Sequence, residues 1–81
     1  MSIRVLFFAS LADLTGIRDT HVDASSFPDI ESIFAGFARQ FPTLEAHRSS
    51  MLCALNSEFA KPDMPIKDGD EVAFFPPVSG G

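Results

Sequence analysis

Residues 30–41 read IESIFAGFARQF, and their apolar side chains recur at intervals of three and four residues. This spacing places the apolar side chains on one face of an α-helix. Asp29 suits the N-cap position before the helix, and Pro42 suits its end. The sequence therefore predicts one amphipathic helix with a buried face, formed by Ile30, Ile33, Phe34, Phe37, Ala38 and Phe41.

The segments on both sides of this helix are typical of β-strands. Strands are predicted over 3–9 and 19–23 before the helix and over 51–56, 58–60 and 71–75 after it. Short helical pieces are predicted over 11–14, where Gly16 closes the turn, and over 44–48. This α+β order predicts a mixed sheet of four to five strands packed on one main helix, which is the order of a β-grasp.

Length and composition limit the class of protein. A chain of 81 residues forms one small domain, and its nine Phe residues and 46% hydrophobic content supply the core. The single Cys forms no internal disulfide, and we expect neither a signal peptide nor a membrane span, so the expected compartment is the cytoplasm. The net charge of −5 argues against a nucleic-acid partner.

Strand parity predicts an apolar patch on the outer face of the sheet. Arg4 and Glu71 mark the outer faces of the first and last strands, so Phe8 and Phe75 share those faces. If the two strands are neighbours, Leu6 and Phe59 join them in a docking surface. The alternative is that a loop folds over these side chains and makes a small satellite core.

The C-terminal residues have a pattern of their own. Pro76 and Pro77 lack amide donors and hold the chain extended, and we expect a tail over 76–81 to project from a globular domain over 1–75. Gly80 and Gly81 have no side chain, so a narrow channel in a partner can admit them. The Gly81 carboxylate becomes electrophilic only after activation, for instance by ATP-dependent adenylation. The alternative is a passive, frayed end.

The segment DGDEVAFFPPVSGG, residues 68–81, and the first strand RVLFFA, residues 4–9, carry a family resemblance. In these two segments the chain resembles the small, sulfur-carrying subunits of molybdopterin synthase, which are ubiquitin-like β-grasp proteins. The resemblance also covers the total length and the predicted order of elements. Residues 18–50 are similar only in their apolar pattern.

The resemblance implies that the chain is a carrier and co-substrate, not a catalyst. An activating enzyme would adenylate Gly81 with ATP, and a sulfurtransferase would convert it to a thiocarboxylate. The tail, formed by Pro76, Pro77, Val78, Ser79 and Gly80, would then enter the large catalytic subunit of a heterotetramer. There the sulfur would pass to cyclic pyranopterin monophosphate to form the dithiolene of molybdopterin. The chain itself would bind no cofactor.

Other reactive side chains have simpler explanations. Cys53, His21 and His47 lie far apart without metal-ligand spacing, so we expect no metal site. Cys53 is predicted to be a buried thiol, and the two His residues to lie on the surface. The acidic residues Asp68, Asp70 and Glu71 are assigned to a turn that leads into the last strand. No phosphate-binding glycine motif is present.

Other functions stay open from the sequence alone. A protein modifier would join Gly81 to a lysine of a target, as ubiquitin does, after the same adenylation. A sulfur carrier for thiamin synthesis or transfer-RNA thiolation would use the same thiocarboxylate. A plain interaction domain with a passive tail would need neither reaction.

Overall fold

The computed structural model describes residues 2–76, and its elements follow the order predicted from the sequence. Two short 3₁₀ turns, Ala24–Ser26 and Pro42–His47, flank the longer helix. The helices and strands are, in chain order, β1 (Ser2–Phe7), α1 (Ser10–Thr15), β2 (Asp19–Asp23), α2 (Ile30–Gln40), β3 (Leu52–Leu55), β4 (Glu58–Ala60) and β5 (Glu71–Phe75).

The five strands form one mixed sheet in the order β2-β1-β5-β3-β4. The central pair, β1 and β5, is parallel, and every other pair is antiparallel. One face of the sheet packs on α2, so the chain has the predicted α+β architecture of a β-grasp. Neither helix within residues 2–76 is long and apolar enough to cross a membrane.

The predicted helix α2 has the expected cap and buried face. The Asp29 carboxylate accepts a hydrogen bond from the backbone N–H of Ser32 at 2.8 Å, and the Ser32 hydroxyl oxygen accepts one from the backbone N–H of Asp29 at 3.3 Å. This reciprocal capping box satisfies donors that a helix start otherwise leaves unpaired. The buried side chains of α2 are Ile30, Ile33, Phe34 and Ala38, while Phe37 is half-buried. Phe41, which was predicted on the same face, follows the last residue of α2 and is half-buried.

The core lies between α2 and the inner face of the sheet. Most of its sheet side is formed by alternate residues of the two central strands, as the period of two requires. These are Ile3, Val5 and Phe7 from β1 with Val72 and Phe74 from β5. The Phe74 ring lies 5.6 Å from the Phe7 ring and 5.9 Å from the Phe34 ring, so the core is built around aromatic contacts.

Several boundaries differ from the predictions. β1 ends at Phe7 and not at residue 9, because Ala9 has φ 51° and ψ −128° and turns the chain into α1. β3 covers only Leu52–Leu55 of the predicted 51–56, because Asn56 begins a tight turn with φ 51°. The predicted helical piece over 44–48 is a 3₁₀ turn that begins at Pro42, which suits the first position of a helical turn.

Candidate functional site

The outer face of the sheet is where β1 and β5 bring the predicted patch residues together. The two strands are hydrogen-bonded neighbours, with Leu6 opposite Ala73. Beyond the end of β1, the backbone N–H of Phe8 still donates to the carbonyl of Phe74 at 3.0 Å. This last bond keeps Phe8 in register with β5, so its side chain lies on the same face as Leu6.

Phe8, Phe59, Phe75 and Leu6 form one apolar cluster, which we call the outer-face patch. The Phe75 ring is its centre, with the Phe8 ring 5.9 Å away on one side and the Phe59 ring 5.8 Å away on the other, both edge to face. Phe8 is 47% exposed and Phe59 is 78% exposed, so within residues 2–76 no loop covers them. The patch borders a shallow concavity of about 230 Å³.

Leu52 belongs beside this patch, although the sequence analysis did not include it. It pairs with Phe75 across β3 and β5, and 36% of its surface is exposed. The signal was available in the sequence, because Leu52 alternates with the buried Cys53 along β3. The small side chains of Ala54 and Ala73 form the floor between the larger ones.

An ion-pair cluster borders the patch on the same face. The Arg4 guanidinium donates to both carboxylate oxygens of Asp19, at 3.0 and 2.6 Å, and to Glu71 at 3.2 Å. The hydrogen bonds from Arg4 hold the pKa of Asp19 below its usual value. His21 and Asp23 continue this charged and polar edge along β2, so the outer face is apolar on one side and polar on the other.

The predicted tail begins where β5 ends. Pro76 is half-buried and is the last described residue. The remaining predicted tail residues lie outside the described residues, as does the carboxylate that the sequence analysis singled out. These are Pro77, Val78, Ser79, Gly80 and Gly81.

The other reactive side chains lie away from the patch. Cys53 is 5% exposed and donates its S–H to the carbonyl of Ala60 at 3.2 Å, and burial raises the pKa of its thiol, which opposes formation of the nucleophilic thiolate. His21 is exposed on β2, and His47 is half-buried in a 3₁₀ turn. Among residues 2–76, no three His, Cys, Asp or Glu side chains are grouped closely enough to hold a metal ion.

The acidic segment before β5 forms the predicted turn, with one difference. Gly69 has φ 89°, and the backbone N–H of Asp70 donates to the carbonyl of Lys67 at 3.1 Å, as in a turn. Asp70, however, is only 6% exposed, and its carboxylate accepts hydrogen bonds from Lys67 and Asn56. Neither this burial nor the hydrogen bond from Asn56 was predicted from the sequence.

A family model described as the ThiS family matches residues 5–81. The chain belongs to the ThiS family. It is similar over nearly its whole length to proteins named molybdopterin synthase sulfur carrier subunit. The one from Escherichia coli K12 is 43% identical, covering 98% of this chain and 99% of that protein. The one from Chlamydomonas reinhardtii is 34% identical, with full coverage of both chains. The predicted resemblance is confirmed.

Solved structures of other proteins have the same fold as this ThiS family member. The crystal structure of SAMP1 from Haloferax volcanii matches with a TM-score of 0.81 at 30% identity, covering all of both chains. A complex of subunits 1 and 2 of molybdopterin-converting factor from Helicobacter pylori matches with a TM-score of 0.67, also covering all of both chains, but at 23% identity it is evidence of fold alone. The ubiquitin-like β-grasp predicted from the sequence is confirmed.

Proposed function

We propose that this chain is the sulfur carrier subunit of a molybdopterin synthase and that it serves as a co-substrate, not as a catalyst. The observation that carries the proposal is the 43% identity to the E. coli protein of that name over 98% of the chain. The family match extends through residue 81, so it includes the C-terminal Gly80 and Gly81.

The proposed chemistry takes place at the carboxylate of Gly81. An α-carboxylate has a pKa of about 3.5 and is a poor electrophile at neutral pH. A carboxylate oxygen attacks the α-phosphorus of ATP in an activating enzyme, and pyrophosphate leaves. A hydrosulfide equivalent from a sulfurtransferase then attacks the acyl carbon, and AMP leaves with that oxygen. Sulfur has replaced one oxygen, and the product is a thiocarboxylate.

The outer-face patch supports a docking step that precedes sulfur transfer. β5 lies between β1 and β3, and it is paired with β1 up to Phe74 and with β3 up to Phe75, so its backbone is held to the point where the tail begins. A large subunit that covers Phe8, Phe59 and Phe75 therefore meets the tail at a fixed position. Exposed aromatic clusters with a polar border are typical of protein interfaces.

In this proposal the catalytic groups belong to the large subunit, in a heterotetramer with two copies of each chain. The tail, residues 76–81, enters that subunit and delivers sulfur to cyclic pyranopterin monophosphate. ATP is bound by the activating enzyme, and this chain needs neither a nucleotide nor a metal of its own. We place the reaction in the cytoplasm, where a chain with one thiol needs no disulfide.

Reconstitution tests the proposal. The purified chain is incubated with the activating enzyme, ATP and sulfide, and then with the large subunit and cyclic pyranopterin monophosphate. Molybdopterin should form with the intact chain and not with a variant that lacks Gly81, although circular dichroism should find both equally folded. Product formation without Gly81 would contradict the proposal.

A second candidate function is protein modification through an isopeptide bond. It is favoured by the 30% identity and TM-score of 0.81 to SAMP1 of H. volcanii, because a second solved structure of a similar protein from that organism is named small archaeal modifier protein 1. Both functions begin with adenylation of Gly81. They are distinguished by the product, since only the modifier becomes linked to lysine side chains of other proteins in the cell.

A further inference from the structure

The turn between β3 and β4 consists of Asn56 and Ser57, whose φ angles are 51° and 73°. Leu55 pairs with Glu58 across it, so this is a two-residue hairpin loop that needs positive φ at both positions. Asn adopts this region more readily than most residues with a side chain. The backbone therefore explains an Asn or a Gly at position 56, but it does not require an amide there.

The amide of Asn56 joins this turn to the beginning of β5. Its Oδ1 accepts a hydrogen bond from the backbone N–H of Glu71 at 2.9 Å, and its Nδ2 donates to Oδ1 of Asp70 at 3.0 Å. The backbone N–H of Asn56 donates to the carbonyl of Glu71 at 2.8 Å. A backbone N–H can only donate and a carboxylate oxygen can only accept, so one orientation of the amide satisfies both partners.

Asp70 completes a closed network of hydrogen bonds. Its Oδ2 accepts from the backbone N–H of Lys67 at 2.9 Å, and its carbonyl accepts from the backbone N–H of Arg4 at 3.0 Å. Burying a carboxylate is unfavourable unless such bonds replace water. Asp70 is the buried member of this network and Asn56 lies at the surface, so the bonds that satisfy the Asp70 carboxylate favour one arrangement of the backbone around it.

β4 connects this hydrogen-bond network to the outer-face patch. That strand has three residues, lies at the edge of the sheet and, within residues 2–76, pairs only with β3. The Asn56 turn leads directly into it, and its second residue is Phe59, whose ring meets Phe75 at 5.8 Å. We propose that Asn56 is a positioning residue for docking: its amide holds the turn on β5 and thereby holds Phe59 against Phe75. The link to docking rests on the function proposed above.

Two substitutions isolate the amide. Asn56→Asp keeps the shape of the side chain but places a carboxylate oxygen where Nδ2 lies, 3.0 Å from an oxygen of Asp70. Adding Asp70→Asn restores all three bonds and reverses only the one between positions 56 and 70. The carboxylate at position 56 then accepts from Glu71 and from the new amide at position 70, whose oxygen accepts from Lys67. Rescue by the double variant would assign the effect to the hydrogen bond between positions 56 and 70 and not to either side chain alone.

The first experiment needs no partner. In the full chain with ¹³C-labelled Phe, the nuclear Overhauser effect between the rings of Phe59 and Phe75 reports their contact. It should be lost or strongly reduced in Asn56→Asp and recovered in the double variant. Should Asn56→Asp fail to fold, Asn56→Gly keeps the turn and removes the amide without adding charge. An unchanged ring contact in a folded Asn56 variant would overturn the inference.

The second experiment measures docking, with the purified large subunit of molybdopterin synthase from the same organism as the probe. Asn56→Asp should weaken binding about tenfold, equivalent to about 1.4 kcal/mol, and the double variant should restore it. Ile33→Val is the matched control, because Ile33 is fully buried on α2 and its shortening lowers stability without touching the patch. Equal weakening by Ile33→Val would overturn the positioning role. Absence of binding by the unaltered chain would refute the proposed function, while the ring contact would still decide the role of Asn56.

Discussion

Replacing Phe34 by Ala tests the core on which the whole fold depends. Phe34 is 1% exposed, its ring lies 5.9 Å from the ring of Phe74, and the Arg48 guanidinium lies 4.9 Å above its centre. The substitution removes a buried ring, leaves a cavity between α2 and the sheet, and ends both contacts. We expect it to lower the free energy of unfolding by about 3–5 kcal/mol.

That loss is large for a chain of this length. At roughly 0.05–0.15 kcal/mol per residue, 81 residues give a total stability of about 4–12 kcal/mol. The chain has no Trp and no Tyr, so unfolding by urea is best followed by far-ultraviolet circular dichroism. A decrease below about 1 kcal/mol would refute the assignment of Phe34 to the core, because buried aromatic truncations do not have so small an effect.

Phe59→Ala is the matched control, since it is the same substitution at a ring that is 78% exposed. It loses mainly one edge-to-face contact, so its effect on unfolding should be about 1 kcal/mol or less. Similar losses for the two variants would mean that burial does not distinguish the two rings.

Three further outcomes are expected. Phe75→Ala should weaken binding to the large subunit more than it lowers stability, and the reverse result would place Phe75 in the core. One extra residue after Gly81 should leave a folded chain that accepts no sulfur, and sulfur transfer by the uncleaved form would contradict the mechanism. Asp19→Asn should destabilise the chain at neutral pH. The hydrogen bonds from Arg4 lower the pKa of Asp19 in the folded chain, so the ionised carboxylate stabilises the fold at pH values above its unfolded pKa of about 3.9. This difference should disappear as the pH falls through the folded pKa, and urea unfolding at acidic and neutral pH checks it.

Much of the fold could be predicted because local pattern and tertiary environment agree. The apolar face of α2 follows a helical period and has a capping residue at Asp29, and β2, β4 and β5 were predicted with the bounds that the structure has. Strand parity also placed Phe8 and Phe75 on one face, because Arg4 and Glu71 marked the polar side of each strand. In those segments the spacing of apolar and polar residues is enough to predict the secondary structure and the buried face.

The remaining features do not follow from the local sequence pattern. The buried carboxylate of Asp70 accepts a hydrogen bond from the amide of Asn56, fourteen positions earlier, and the sequence around Asp70 does not indicate this partner. The early end of β1 depends on the backbone of Ala9, a residue type that rarely adopts φ 51°. The prediction of an extended tail depends on the proline and glycine residues of the C-terminal segment and on the family resemblance, and residues 77–81 lie outside the described part of the chain.

The central claim is that Gly81 carries sulfur, and intact-protein mass spectrometry of the chain purified from its native cells tests it most directly. Fragmentation of the C-terminal peptide locates any change. We predict that sulfur replaces one oxygen at Gly81 in a fraction of the molecules, and that this fraction rises with the activating enzyme, ATP and a sulfur donor. An isopeptide bond from Gly81 to a lysine would contradict the carrier function in favour of a modifier. A C-terminus that stays unmodified under those conditions would contradict both.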